Sequence, residues 1–75
     1  MFKRAEAEAR KEFSLKENME LGTVASVSQQ IVAGINYKIT YNTPAGQYNV
    51  VVFAQPWTDT FKVTHIEKVN TPHGN

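Results

Sequence analysis

The sequence predicts an α+β fold in which one N-terminal helix packs on a four-stranded antiparallel β-meander. Residues 2–17 are rich in Ala, Glu, Lys and Arg and contain neither Gly nor Pro, a composition typical of a helix. From Thr23 onward, β-branched and aromatic residues dominate four runs that are separated by three turn signals. Because helix and strands are segregated along the chain, the helix is expected to cover one face of the sheet.

The helix is predicted to have one narrow apolar stripe. Its members recur at three- and four-residue spacing and are Phe2, Ala5, Ala9 and Phe13. Two of the four are alanines, so the helix should lie close against the surface that it covers. Asn18 is predicted to end the helix, and Gly22 lies beyond it.

Four strands are predicted, over residues 23–30, 35–41, 48–55 and 61–69. In the first strand Val24 and Val27 are out of phase by one residue, which indicates a bulge near Ala25. The second strand alternates apolar and polar residues cleanly. The third is apolar on both faces and is therefore expected in the centre of the sheet. The tail, 70–75, is polar and should fray.

Two of the predicted turns are unusually apolar. The first, residues 31–34, reads "IVAG", and the third begins with Pro56 and Trp57. In a four-stranded meander these two turns lie at the same end of the sheet, with the "NTPAGQ" turn at the other. Either turn alone is more simply explained as packing within its own domain. Two neighbouring apolar tips are costly to leave in water and usually mark an interaction site.

Composition excludes several classes of function. The 75 residues form one domain, 1–75, with room for a single modest core. There is no cysteine, so the chain has no disulfide, thiolate metal site or cysteine nucleophile. The net charge of +1 comes from interspersed charges, which predicts neither nucleic-acid nor membrane binding. Without a long apolar run or a signal-peptide core, we expect a soluble cytoplasmic protein.

No catalytic or metal-binding pattern is present in the sequence. His65 and His73 are the only histidines and lack the spacing of metal ligands. Asp59, the sole aspartate, stands between two threonines, which favours a turn residue over a catalytic one. No serine has the flanking pattern of a nucleophile, and no glycine-rich phosphate loop occurs. We therefore expect a protein that is not an enzyme and needs no cofactor or metal.

The apolar turns carry a resemblance to a known family. A Q-x-V-x-G hairpin at Gln30, Val32 and Gly34, a later Pro-Trp turn and a preceding helix together resemble the cystatin family. The likeness extends through "QQIVAGINYKIT" and "LKENMEL" and covers about residues 13–69. The sequence has no glycine before Gly22 and no cysteine. It therefore resembles a disulfide-free member that lacks the family's N-terminal trunk.

The resemblance implies reversible, non-covalent inhibition of papain-like cysteine proteases, with the active-site cleft occluded by two hairpin loops. The protease-binding residues that it implies are Gln30, Ile31, Val32, Ala33, Gly34, Pro56 and Trp57. It also implies a monomer able to form a domain-swapped homodimer through a hinge at residues 30–34. The alternative is a cystatin-fold protein-binding or scaffold module that does not inhibit proteases.

Overall fold

The computed structural model describes residues 2–69 and confirms the predicted α+β fold. In chain order the elements are α1 (Phe2–Glu17), β1 (Val24–Val32), β2 (Gly34–Thr43), β3 (Gly46–Gln55), a short 3-10 helix (Pro56–Thr58) and β4 (Thr60–Lys68). The tail, 70–75, with its predicted fraying and with His73, lies outside the described residues.

Helix α1 has the bounds and the buried stripe that its sequence predicts. Ala5, Ala9 and Phe13 are fully buried, and Phe2 packs edge-on against the ring of Tyr37, with ring centroids 5.4 Å apart. The helix ends at Glu17, and the next residue, Asn18, has a φ of 56° that takes the chain out of the helical conformation. The small alanine side chains let the helix lie directly on the sheet.

Arg10 fastens the helix to the segment that leads into β1. Its guanidinium donates hydrogen bonds to the carbonyl oxygens of Leu21 (3.1 Å) and Gly22 (3.0 Å) and forms an ion pair with Glu6 at 3.0 Å. The same group lies 5.1 Å from the ring centroid of Tyr41. These contacts set the direction in which the chain enters the sheet.

The sheet is a simple meander with the strand order β1-β2-β3-β4, every neighbouring pair being antiparallel. Strands β1 and β4 are therefore its two edges, and β3 lies inside the sheet as predicted. In β1, Val24 pairs with Tyr41 and Ser26 with Thr40, so Ala25 is the extra residue of the predicted bulge.

The core lies between the helix and one face of the sheet. Its largest fully buried side chains are Phe13, Ile39, Tyr41, Val50 and Val52. Helix α1 lies mainly across β3 and β4, so it leaves β1 uncovered, and all nine residues of β1 are exposed. No helix within residues 2–69 is long and apolar enough to span a bilayer.

The first hairpin is tighter than the sequence indicates. The predicted turn covers residues 31–34, but Ile31 pairs with Ile35 and Val32 pairs with Gly34, which leaves Ala33 alone at the bend. The strands extend this far because isoleucine and valine favour the extended backbone. Glycine at the other side of the bend permits so short a connection.

Candidate functional site

The two apolar turns lie side by side at one end of the sheet, as the meander topology predicts. The amide nitrogen Nε2 of Gln55, at the end of β3, donates a 2.8 Å hydrogen bond to the carbonyl oxygen of Ala33 at the β1–β2 bend. The β2–β3 turn at Pro44 and Ala45 is at the opposite end. We call the β1–β2 bend, residues 31–34, the first tip, and the 3-10 turn, residues 56–59, the second tip.

The first tip presents aliphatic side chains to solvent. Ile31 is 73% exposed and Val32 is 51% exposed, and Ala33 between the two strands is exposed as well. Side chains of this type are usually buried in a small domain. The first tip therefore offers an apolar ridge that its own domain does not cover.

Gly34 is required at the base of the first tip. Its φ of 151° is a conformation that L-residues rarely adopt. A Cβ atom placed there would lie 2.6 Å from ring atoms of Phe53 and 2.9 Å from the carbonyl oxygen of Ala54. The bend therefore depends both on the backbone freedom of glycine and on its lack of a side chain.

The second tip is a 3-10 turn that presents a tryptophan. Pro56 begins the turn, where its fixed φ suits the first helical position. Asp59 ends the turn in the left-handed conformation, and its backbone N–H donates a 3.0 Å hydrogen bond to the carbonyl oxygen of Pro56. Trp57 is 68% exposed. A large flat side chain is thus held on a short, hydrogen-bonded turn.

Polar contacts tie the second tip to its surroundings. The Thr58 hydroxyl lies 3.0 Å from the carbonyl oxygen of Gln55 and 2.8 Å from the Thr60 hydroxyl. The Asp59 carboxylate pairs with the Arg4 guanidinium at 2.8 Å, and that guanidinium stacks 4.4 Å from the ring centroid of Phe61. Both ends of the ion pair are exposed, so its contribution to stability is small. The contact places the first turn of α1 beside the second tip.

Gln30 lies at the base of the first tip, but its side chain makes no hydrogen bond across the hairpin within residues 2–69. Gln30 pairs with Asn36 through the backbone, and the amide that reaches the bend is that of Gln55. Gln55 stands directly before Pro56, but no local pattern in the sequence indicates that its side chain reaches the neighbouring bend.

The tips offer shape and apolar surface rather than chemistry. Among their residues only Asp59 is ionisable, and it is paired with Arg4. His65 lies on β4, where it contacts Glu67 at 2.7 Å. Within residues 2–69 no three side chains of the metal-binding types cluster closely enough to hold an ion. The arrangement is suited to docking against another surface.

No protein-family model matches the chain. No solved structure matches it significantly.

Proposed function

We propose that this protein is a reversible, non-covalent inhibitor of papain-like cysteine proteases. The observation that carries the proposal is the pair of neighbouring apolar tips, with Ile31, Val32 and Trp57 exposed and the tips linked by the bond from Gln55 to Ala33. Two exposed apolar tips held in a fixed relation form a wedge. A wedge of this kind fits the narrow, apolar-lined cleft of an endopeptidase.

Inhibition would work by occlusion. The first tip, with Gln30 at its base, and the second tip, with Pro56 and Trp57, would enter the cleft on either side of the catalytic thiol. Trp57 would supply the largest buried area, since aromatic anchors dominate the energetics of most interfaces. Neither tip needs to be cleaved, and no covalent bond to the protease forms. The substrate is excluded because the wedge fills the space that it needs.

The hydrogen bond from Gln55 supports the mechanism by reducing its entropic cost. Two independent hairpins would each lose freedom on binding, at a cost of about 0.5–1.5 kcal/mol for every side chain that becomes fixed. The bond to Ala33 and the contacts of Thr58 hold the tips in one arrangement beforehand. Pre-organisation of this kind raises affinity without adding a contact.

Two tips alone predict weak and quickly reversible inhibition. An interface made by two short tips is small, and a smaller interface loses affinity mainly through faster dissociation. The compartment in which the protein meets its protease stays a prediction.

Domain exchange through the hinge at residues 30–34 also stays a prediction, and release of backbone strain at Val32 is not available to drive it. Positive φ among the described non-glycine residues occurs only at Asn18 and Asp59, and Val32 is part of β1. Exchange would therefore rest on straightening the bend at Ala33 and Gly34, without a gain from released strain.

The test of the proposed function is a titration of papain with the protein, read as residual activity on a small peptide substrate. Stoichiometric inhibition that is reversed by dilution supports the proposal. No inhibition at micromolar protein contradicts it and leaves the non-inhibitory binding or scaffold module. Hydrolysis of the protein at its tips by papain would also contradict it, because that would make the chain a substrate.

A further inference from the structure

Strand β1 is an edge strand that lacks the features which normally prevent an edge strand from pairing with another chain. Native edges are protected by charged side chains, by proline or by a covering element. No charged residue occurs between Glu20 and Lys38, and β1 contains no proline. The other edge strand, β4, is charged, with Lys62, Glu67 and Lys68. Of the two edges of the sheet, β4 is therefore protected against pairing with another chain and β1 is not.

The apolar side chains of β1 are also uncovered. Val27 pairs with Ile39, and Ile31 pairs with Ile35, so the alternation of a strand places both on the helix side of the sheet. Helix α1 lies over β3 and β4 instead. Val27 is 48% exposed in consequence, and Ile31 is more exposed still. An open backbone edge and an open apolar row thus coincide on one strand.

We propose that β1 pairs edge to edge, antiparallel, with β1 of a second copy of this chain, about a two-fold axis at Gln29. The two meanders would then form one continuous eight-stranded sheet. This inference does not depend on protease inhibition, because it uses neither Trp57 nor the cleft of an enzyme.

The bulge fixes the register of the pairing. Ala25 interrupts the regular backbone of β1, so the regular edge runs from Ser26 to Val32, with Gln29 at its midpoint. A two-fold axis at Gln29 pairs all seven residues of this segment with their counterparts. Any other two-fold register leaves part of the segment unpaired or includes the bulge.

The same register matches the side chains. Val27 lies opposite Ile31 of the second copy, and Ile31 opposite its Val27, both pairs on the helix side. Cross-strand pairs of β-branched residues are favourable. Ser28 meets Gln30 of the second copy on the other face, and Gln29 meets itself. No like charges oppose each other, and the edge is complementary to its own sequence, which favours a second copy over a foreign strand.

The first experiment measures mass by sedimentation equilibrium from about 1 μM to about 1 mM protein, a range set by the weak association expected of a small interface. The mass should rise with concentration toward that of a dimer and fall at once on dilution. Gln29→Lys places two positive charges at the axis and should weaken association at least tenfold. Thr64→Lys, which adds the same charge to β4, should leave it unchanged. A wild-type monomer at every concentration, or equal association of wild type and Gln29→Lys, would overturn the proposal.

A second experiment does not depend on the folding of the lysine variant. The chain has no cysteine, so Gln29→Cys introduces a single thiol. Residues directly opposite in an antiparallel pair have Cα atoms about 4.5–5.5 Å apart, within the range that a disulfide spans. Under mild oxidation Gln29→Cys should form a covalent dimer at least tenfold faster than Thr64→Cys. Equal rates would contradict the pairing at Gln29.

Discussion

Trp57 is the residue on which the proposed inhibition depends most. Trp57→Ala should weaken papain binding by about 2 kcal/mol or more, roughly thirtyfold, because a large anchor would leave the interface. The free energy of unfolding should change by no more than about 0.5 kcal/mol, since the side chain is mostly exposed in the free protein. Inhibition constants and urea unfolding measure the two effects.

Leu15 provides the control for this substitution. Its side chain is 72% exposed, like that of Trp57, but it lies in the last turn of α1, away from the tips. Leu15→Ala should change neither the affinity for papain nor the free energy of unfolding. Parallel losses of stability and inhibition in Trp57→Ala would identify Trp57 as a folding residue.

Tyr41 places a polar atom in the core of the domain. Its hydroxyl is buried and has no hydrogen-bond partner within residues 2–69. Burial raises the pKa of Tyr41, the nearby Glu6 carboxylate raises it further, and the Arg10 guanidinium partly offsets both effects.

Removing the Tyr41 hydroxyl should therefore not lower the free energy of unfolding. Tyr41→Phe should leave the free energy of unfolding unchanged or raise it by up to about 1 kcal/mol, because an unsatisfied polar group is lost. Tyr41→Ala, which removes the ring from the core, should cost about 3–5 kcal/mol. Thermal unfolding monitored by circular dichroism distinguishes the two. A loss above about 1 kcal/mol in Tyr41→Phe would show that the hydroxyl has a partner.

The β1–β2 hairpin is the element whose shape is most sensitive to one position. Gly34→Ala should lower the free energy of unfolding by about 1–3 kcal/mol and weaken papain binding, because the added Cβ would meet Phe53 in a backbone conformation that alanine avoids. Adding Phe53→Ala should restore part of the binding. The restoration would separate the steric effect from the backbone effect.

Gly46 supplies the comparison, since it lies in the β2–β3 turn at the other end of the sheet. Its φ is also positive, 115°, but a Cβ there would meet only Lys68, at 3.6 Å. Gly46→Ala should therefore destabilise the fold modestly and leave inhibition intact. Equal losses of inhibition in the two alanine variants would mean that the first tip does not contact the protease.

The elements differ in how far their sequence predicts them. The sequence predicts helix α1 to its ends because propensity, apolar spacing and the stop at Asn18 agree, and the phase of two valines predicts the bulge at Ala25. The sequence predicts the end of β1 at residue 30, two residues too early, because backbone pairing up to Val32 depends on the partner strand. The bond from Gln55 to Ala33 joins side chain and backbone 22 residues apart, and no local pattern indicates it.

For the whole molecule, two kinds of dimer can be distinguished by their kinetics. Pairing through β1 keeps every hairpin closed and should equilibrate quickly. Domain exchange requires β1 and β2 to separate from their own sheet and rejoin another, so it should appear only after mild heating at high concentration and persist on dilution. Size-exclusion with light scattering before and after heating separates them. An exchanged dimer that still inhibits papain stoichiometrically would rule out the hinge at residues 30–34.

The central claim is that both tips together contact a papain-like protease. Calorimetric titration of papain with the wild type, Leu15→Ala and the double variant Val32→Asp, Trp57→Ala tests it most directly. The wild type and Leu15→Ala should each saturate papain at a molar ratio of about one. The double variant, with one anchor lost and a charge on the other tip, should give no saturable heat. Wild-type protein that does not bind, or a double variant that binds as tightly as the wild type, would contradict the claim.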